Sequence, residues 1–280
     1  MNNPGGEFIR RETQLMSSTQ DPFQPGGDAR YGLTDRSRNR AQDRGVEDMT
    51  ELSPRERART ATEQDIRRHA RTLLVEHGSD AVTLRAIARE LGITAPALYR
   101  YYSSREDLLR QLCDDVCADL SEELSAAFDP ETEQFLDRTF AVCRRFRSWA
   151  LAHPKEFALV FATPKDRSRQ PDRFAGVFLS IVAPMISENP NAQEKVKASL
   201  TLPDLSVQQK SLADAFSHEG IEVPAEAIDA EAVYFLMRWW VRLYGHIALE
   251  VFGRFPFEVI HADQLFDAAL QELAEESGLT

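Results

Sequence analysis

The sequence predicts an all-α protein: a three-helix helix-turn-helix head joined to a helical-bundle body, behind an N-terminal extension with no structure of its own. Three observations predict it. Apolar residues recur at helical spacing in one segment after another, and no run alternates over strand length. Residues 82–109, VTLRAIARELGITAPALYRYYSSREDLL, read as two short helices joined by a tight glycine turn, with a third helix following at once. Residues 1–58 are poor in apolar side chains and rich in Gly, Pro, Ser, Asp and Arg, too polar to offset the entropy of ordering.

Within that extension Arg36, Arg38, Arg40 and Arg44 are interspersed with Asp35 and Asp43, the pattern of a solvated tail. Arg55, Arg57 and Arg59 stand just before the first helix. They are either more of that tail or an arm able to reach an adjacent minor groove. Met49 is a second candidate for the translation start.

The first helix is expected over about 62–77, with Ile66, Ala70, Leu73 and Leu74 facing inward and Gly78 stopping it. In the next, Leu84, Ile87, Ala88 and Leu91 form one apolar face. Thr83 is its N-cap, Val82 and Ile87 have the spacing of a hydrophobic staple, and Gly92 ends it. Thr94 caps the following short helix, expected over 95–101, with Ile93 and Leu98 as its staple and Pro96 in the first turn. Ser103 or Ser104 starts a fourth helix that runs through Leu108, Leu112, Val116 and Leu120. Further helices are expected over 131–152, 154–162, 171–187, 204–218, 226–252 and 256–276, with a polar loop at 187–196. The domain organisation is therefore extension 1–58, head 59–104 and helical body 105–280.

Composition narrows the function. The net charge is −12, but residues 111–280 hold 15 Lys+Arg against 28 Asp+Glu, whereas residues 61–110 hold 8 against 7. The acidity belongs to the body, which should face away from any polyanion. Three cysteines and six histidines show no metal-ligand spacing, and Cys113 and Cys117, four apart on a helix, read as reduced packing residues. No nucleophile motif, phosphate loop or cofactor motif occurs, so no metal, no cofactor and no enzyme activity are expected. A helical enzyme or binding protein is the alternative class. No signal peptide is visible, and the longest apolar run, FAGVFLSIVAPMI at 174–186, is too short for a bilayer and contains Pro184. A cytoplasmic protein without membrane contact is expected.

Two helices turned this sharply offer the N-terminal end of the second to the DNA major groove. Residues 66–109 resemble the DNA-binding domain of TetR-type regulators, the tetracycline-repressor family. The resemblance rests on IRRHARTLLVEHG, then Thr83 and LRAIARELG, then Leu98-Tyr99, Tyr101-Tyr102 and Arg105. It implies a ligand-responsive repressor that binds double-stranded operator DNA as a homodimer. Thr83 and Thr94 lie on the expected contact surface, Thr94 more as a cap than as a phosphate contact. Ala95, Pro96 and Ala97 face the bases and suit thymine methyls. Tyr99 and Tyr101 are placed for phosphates, Arg100 is long enough to reach a phosphate or a base edge, and Tyr102 lies on the core side with Leu98. The family position of Arg105 usually holds a phosphate-binding Lys, and that of Arg85 reaches a guanine edge or a phosphate.

In the body, HPKEFALVF at 153–161 resembles the sixth helix of the family's ligand domains. RWWVRLYGHIALEVFG at 238–253 resembles a subtype named for a Trp-His-Gly pattern, with Tyr244 where the subtype has His. The aromatic content suits an apolar small-molecule effector between bundle helices. Its candidate lining is Phe140, Trp149, Phe157, Phe161, Phe178, Met237, Trp240 and Tyr244. The helix at 226–252 is apolar almost all round, its polar positions Arg238, Arg242, His246 and Glu250 forming one narrow stripe. Together with Val259, Phe266, Leu270 and Leu273 of the last helix, it is expected to form a four-helix dimer seam.

Overall fold

The computed structural model describes residues 53–128, 134–162, 175–188 and 202–277, all within one compact unit. The expected unstructured extension falls almost wholly on residues 1–52, outside the described residues, as do loop positions 189–196. Every described element is helical: α1 (Pro54–His77), α2 (Leu84–Glu90), α3 (Ala95–Leu98), α4 (Arg105–Ala127), α5 (Phe135–Ala152), α6 (Pro154–Phe161), α7 (Ala175–Glu188), α8 (Ser206–Glu219), α9 (Ala230–Val251) and α10 (Ala262–Glu276). Short 3₁₀ turns at Ser79–Ala81 and Ala225–Ala227 complete the set. No described helix is long and apolar enough to cross a membrane.

The first helix departs from the expectation, starting at Pro54 instead of near residue 62. Its start is written locally, not in apolar periodicity. The Ser53 hydroxyl accepts from the Glu56 amide, and the Glu56 carboxylate accepts from the Ser53 amide, a capping box with Pro54 in the first turn. Arg55, Arg57 and Arg59 are therefore helical, and the extended-arm alternative does not hold for them.

Two hydrophobic cores share one long strut. Ile66, Ala70, Leu74, Val82, Ile87, Leu98 and Tyr102 close the head, joined by Leu108 and Leu112 of α4. Further along α4, Val116, Cys117, Leu120 and Leu124 belong to the body core, with α5, α7, α9 and α10. The expected division at 104/105 thus falls at the first residue of a helix that serves both cores. Ser104 starts that helix by accepting from the Asp107 amide (3.1 Å). Cys143 is sealed in the body core, and burial pushes its thiol up to about 12, the behaviour of a packing residue.

The last two helices do not present the expected faces. α10 turns Phe266, Leu270 and Leu273 into its own core, so these residues are not a seam. The polar stripe of α9 is also spent within the chain. Arg238 and Arg242 pair with Glu276 of α10, and Glu250 takes a bidentate pair from Arg147 of α5 (2.7 and 2.5 Å). His246 sits edge-on to Phe255 and Phe266. The apolar residues that α9 leaves outside are Met237 (51% exposed), Val241 (62%) and Leu249.

Candidate nucleic-acid interface

The turn between α2 and α3 is built as its residues dictate. The Ala86 amide donates to the Thr83 hydroxyl (3.1 Å), capping α2. Leu84, Ile87 and Ala88 are buried beneath it, and Gly92 turns the chain at φ 65°, a conformation that side chains with a Cβ adopt at a cost. α3 is shorter than expected: only Ala95–Leu98 is α-helical, and i→i+3 bonds from Arg100 and Tyr101 tighten the chain beyond it.

Thr94 does not cap α3 with its side chain. A cap needs the second or third amide of the helix. Pro96 has none, and the Ala97 amide already donates to the Thr94 carbonyl (2.9 Å). The exposed Thr94 hydroxyl is left facing outward with Pro96, Tyr99 and Arg100, while Ala95 and Ala97 are half-buried. Arg85 and Arg89 of α2 are exposed on the same motif. Between residues 83 and 104 the charges are Arg85, Arg89, Arg100 and a single acid, Glu90. The motif is thus locally cationic in an acidic chain.

Two expected contacts stand elsewhere. Arg105 donates from Nε to the Val82 carbonyl (2.8 Å) and from Nη2 to the Ser79 carbonyl (2.5 Å), tying the start of α4 to the turn before α2. Its guanidinium is a scaffold bolt, bonding the Val82 carbonyl and sharing the Ser79 carbonyl with the Val82 amide. Tyr101 is half-buried, its ring under the Arg59 guanidinium at 5.8 Å. Tyr102 is core, as its spacing from Leu98 required. Burial pushes its phenol up, so the hydroxyl stays protonated and donates to the Glu63 carbonyl (3.3 Å).

A polar ladder fastens the head to the body. Arg67 and Arg71, one turn apart on α1, face Asp115 and Asp119, one turn apart on α4. Arg71 also donates to Glu156 of α6 (2.5 Å), a carboxylate only 2% exposed. Lys155 donates to the carbonyls of Val75 and Glu76 at the C-terminal end of α1 (2.8 and 2.7 Å). Sequence reading missed this ladder, although the matched four-residue spacings of the two arginines and two aspartates are visible in the chain.

The far side of α6 carries Phe157 and Phe161 into an aromatic cluster with Phe178, Trp240 and Tyr244, around the fully buried Phe146. Ring centroids lie 4.7–6.4 Å apart, and the Tyr244 hydroxyl donates to the Phe161 carbonyl (3.2 Å). Three expected lining residues are not part of it. Six residues place Phe140 about 120° around α5 from Phe146, where it lies against Arg144 instead. Trp149 stacks on His153 at the end of its own helix. Met237 lies on the outer surface of α9.

Known families match both parts of the chain. Residues 66–112 match the family described as bacterial regulatory proteins, tetR family, and residues 139–273 match the tetracyclin repressor-like C-terminal domain. The chain is 30% identical over 214 residues to the HTH-type transcriptional regulators Rv1816 of Mycobacterium tuberculosis and Mb1846 of Mycobacterium bovis, covering 75% of this chain and 88% of each relative. The chain belongs to the tetR family. The crystal structure of the regulatory protein SCO4313 is similar at a TM-score of 0.53 and 27% identity, covering 80% of this chain and all of the other. As a TetR-family member the chain is a transcriptional regulator with a helix-turn-helix DNA-binding domain. The family match takes in the cationic motif at one end and the aromatic cluster at the other.

Proposed function

We propose that this chain is a cytoplasmic, homodimeric repressor that leaves its operator when an apolar small molecule enters the C-terminal domain. The observation that carries the reading is the double duty of α6. One face holds α1 through Glu156 and Lys155, and the other supplies Phe157 and Phe161 to the aromatic cluster. In the described conformation the rings fill the cluster themselves, so a ligand must part them. Moving α6 then moves the anchor of the head. The ligand acts only through its differential affinity for the two arrangements. The further resemblance of 238–253 to the Trp-His-Gly subtype belongs to the same proposal, since Trp240 and Tyr244 both enter the cluster.

At the DNA, Arg85 reads a base edge or grips a phosphate, Ala95, Pro96 and Ala97 approach thymine methyls, and Thr94, Tyr99 and Arg100 meet phosphates. Duplexes selected from a random pool by the full chain test this. Arg85→Ala is expected to weaken binding to the selected duplex by about 1–3 kcal/mol and to relax one base position. A uniform loss across sequences with a shallower salt dependence would reassign Arg85 to a phosphate. Unchanged binding would remove it from the interface.

The junction has its own test. Arg71→Ala leaves the buried Glu156 carboxylate without its cation. With Arg71 partly exposed, the cost is expected to be on the order of 2 kcal/mol, or about 4–8 °C in melting temperature. A variant that melts with the parent would mean that Glu156 needs no partner there.

A further inference from the structure

The first two turns of α1 bury no side chain. Residues 53–59 are exposed, and the first fully buried side chain of the helix is Ile66. Yet the segment is kept helical by its capping box, by Pro54, and by the Arg59–Glu63 pair (2.9 Å). Arg55 and Arg59, four residues apart, share one face of it. That face meets the recognition turn: the Arg59 guanidinium lies over the Tyr101 ring, beside the exposed Arg100. Glu63 occupies only Nε of Arg59, leaving the terminal nitrogens as donors. Arg57, two residues on, projects from the opposite side of the helix.

We infer that this projecting helix is a second DNA contact, in which Arg55 and Arg59 grip backbone phosphates flanking the recognition turn and Tyr101 acts as a positioning residue for Arg59. The inference rests on the regulator reading above. The contact is to phosphate and not to the minor groove, because a helix about 10–12 Å across does not enter a groove about 6 Å wide. It adds affinity and salt dependence without sequence information.

The test uses the full chain and the duplex it selects from a random pool, with binding followed against salt. Alanine is a good helix former, so the double variant Arg55→Ala/Arg59→Ala should keep its helix content by circular dichroism. Each arginine withdrawn from a phosphate should flatten the slope of log K against log salt by about 0.9. The affinity at 0.1 M salt should fall on the order of tenfold per arginine, with the selected sequence unchanged. Lys210→Ala, which removes a cation from α8 of the body, should leave the slope alone. Tyr101→Phe keeps the ring under Arg59 and should bind as the parent does, whereas Tyr101→Leu should forfeit the Arg59 contribution. A double variant with the parent's slope overturns the inference, and so does a weakening seen only with A·T-rich flanks. Equal weakening in Tyr101→Phe and Tyr101→Leu overturns the positioning role. A parent chain that selects no sequence would instead overturn the regulator reading itself.

Discussion

Val241→Glu is expected to yield a folded monomer that no longer holds its operator tightly. α9 leaves Met237, Val241 and Leu249 outside, on a stripe of four-residue spacing that passes over Gly245, where an added Cβ would meet nothing within 4 Å. Such a stripe, with a glycine at its middle, suits close approach by another helix. Leu265 of α10 is exposed as well, so both terminal helices offer apolar surface outward. A two-fold interface presents the same residue twice, so one substitution buries two carboxylates without partners. At about 3 kcal/mol each, the dimer would weaken by roughly four orders of magnitude. Position 241 is solvent-exposed in the single chain, so the fold should survive. Sedimentation at micromolar concentration, circular dichroism and operator binding check the three parts together. A dimer that persists places the interface on another face.

Leu270→Glu is expected to fail differently, by unfolding the body. Only 1% of Leu270 is exposed, and its neighbours in the core include Phe266, Leu273 and the buried face of α9. A carboxylate there loses the packing of a leucine and gains a desolvated charge, a combination expected to cost more than about 4–5 kcal/mol. The variant should show loss of cooperative melting, or aggregation. A soluble variant of unchanged stability that sediments as a monomer would restore Leu270 to the seam. The pair of substitutions separates a residue that holds the chain together from one that holds two chains together.

On the proposed reading, tight operator binding needs both. One head alone makes too few contacts for tight binding, and two heads at fixed separation bind half-sites as one unit. The ladder of Arg67, Arg71, Asp115, Asp119 and Glu156 is what would keep that separation defined.

By itself the sequence determined what local physics can carry. The all-α class followed from helical periodicity. The cap at Thr83, the turn at Gly92 and the core side of Tyr102 followed from residue type and spacing over a few positions. The cationic character of the motif could be counted directly in the chain. The tertiary structure decided whatever depends on a partner distant in sequence. Thr94 read as a cap, but the backbone path had already used the Ala97 amide. Arg105 read as a phosphate contact, but the carbonyls of Ser79 and Val82, more than twenty residues away, engage its Nε and Nη2. On α9 the residues Arg238, Arg242, His246 and Glu250 read as one narrow polar stripe. Its partners Glu276 and Arg147 come from α10 and α5 and pair three of its four residues within the chain. The apolar stripe one residue behind it is left outside. Helical phase was legible, but which phase meets the core is set by charges and volumes that only the folded chain brings together.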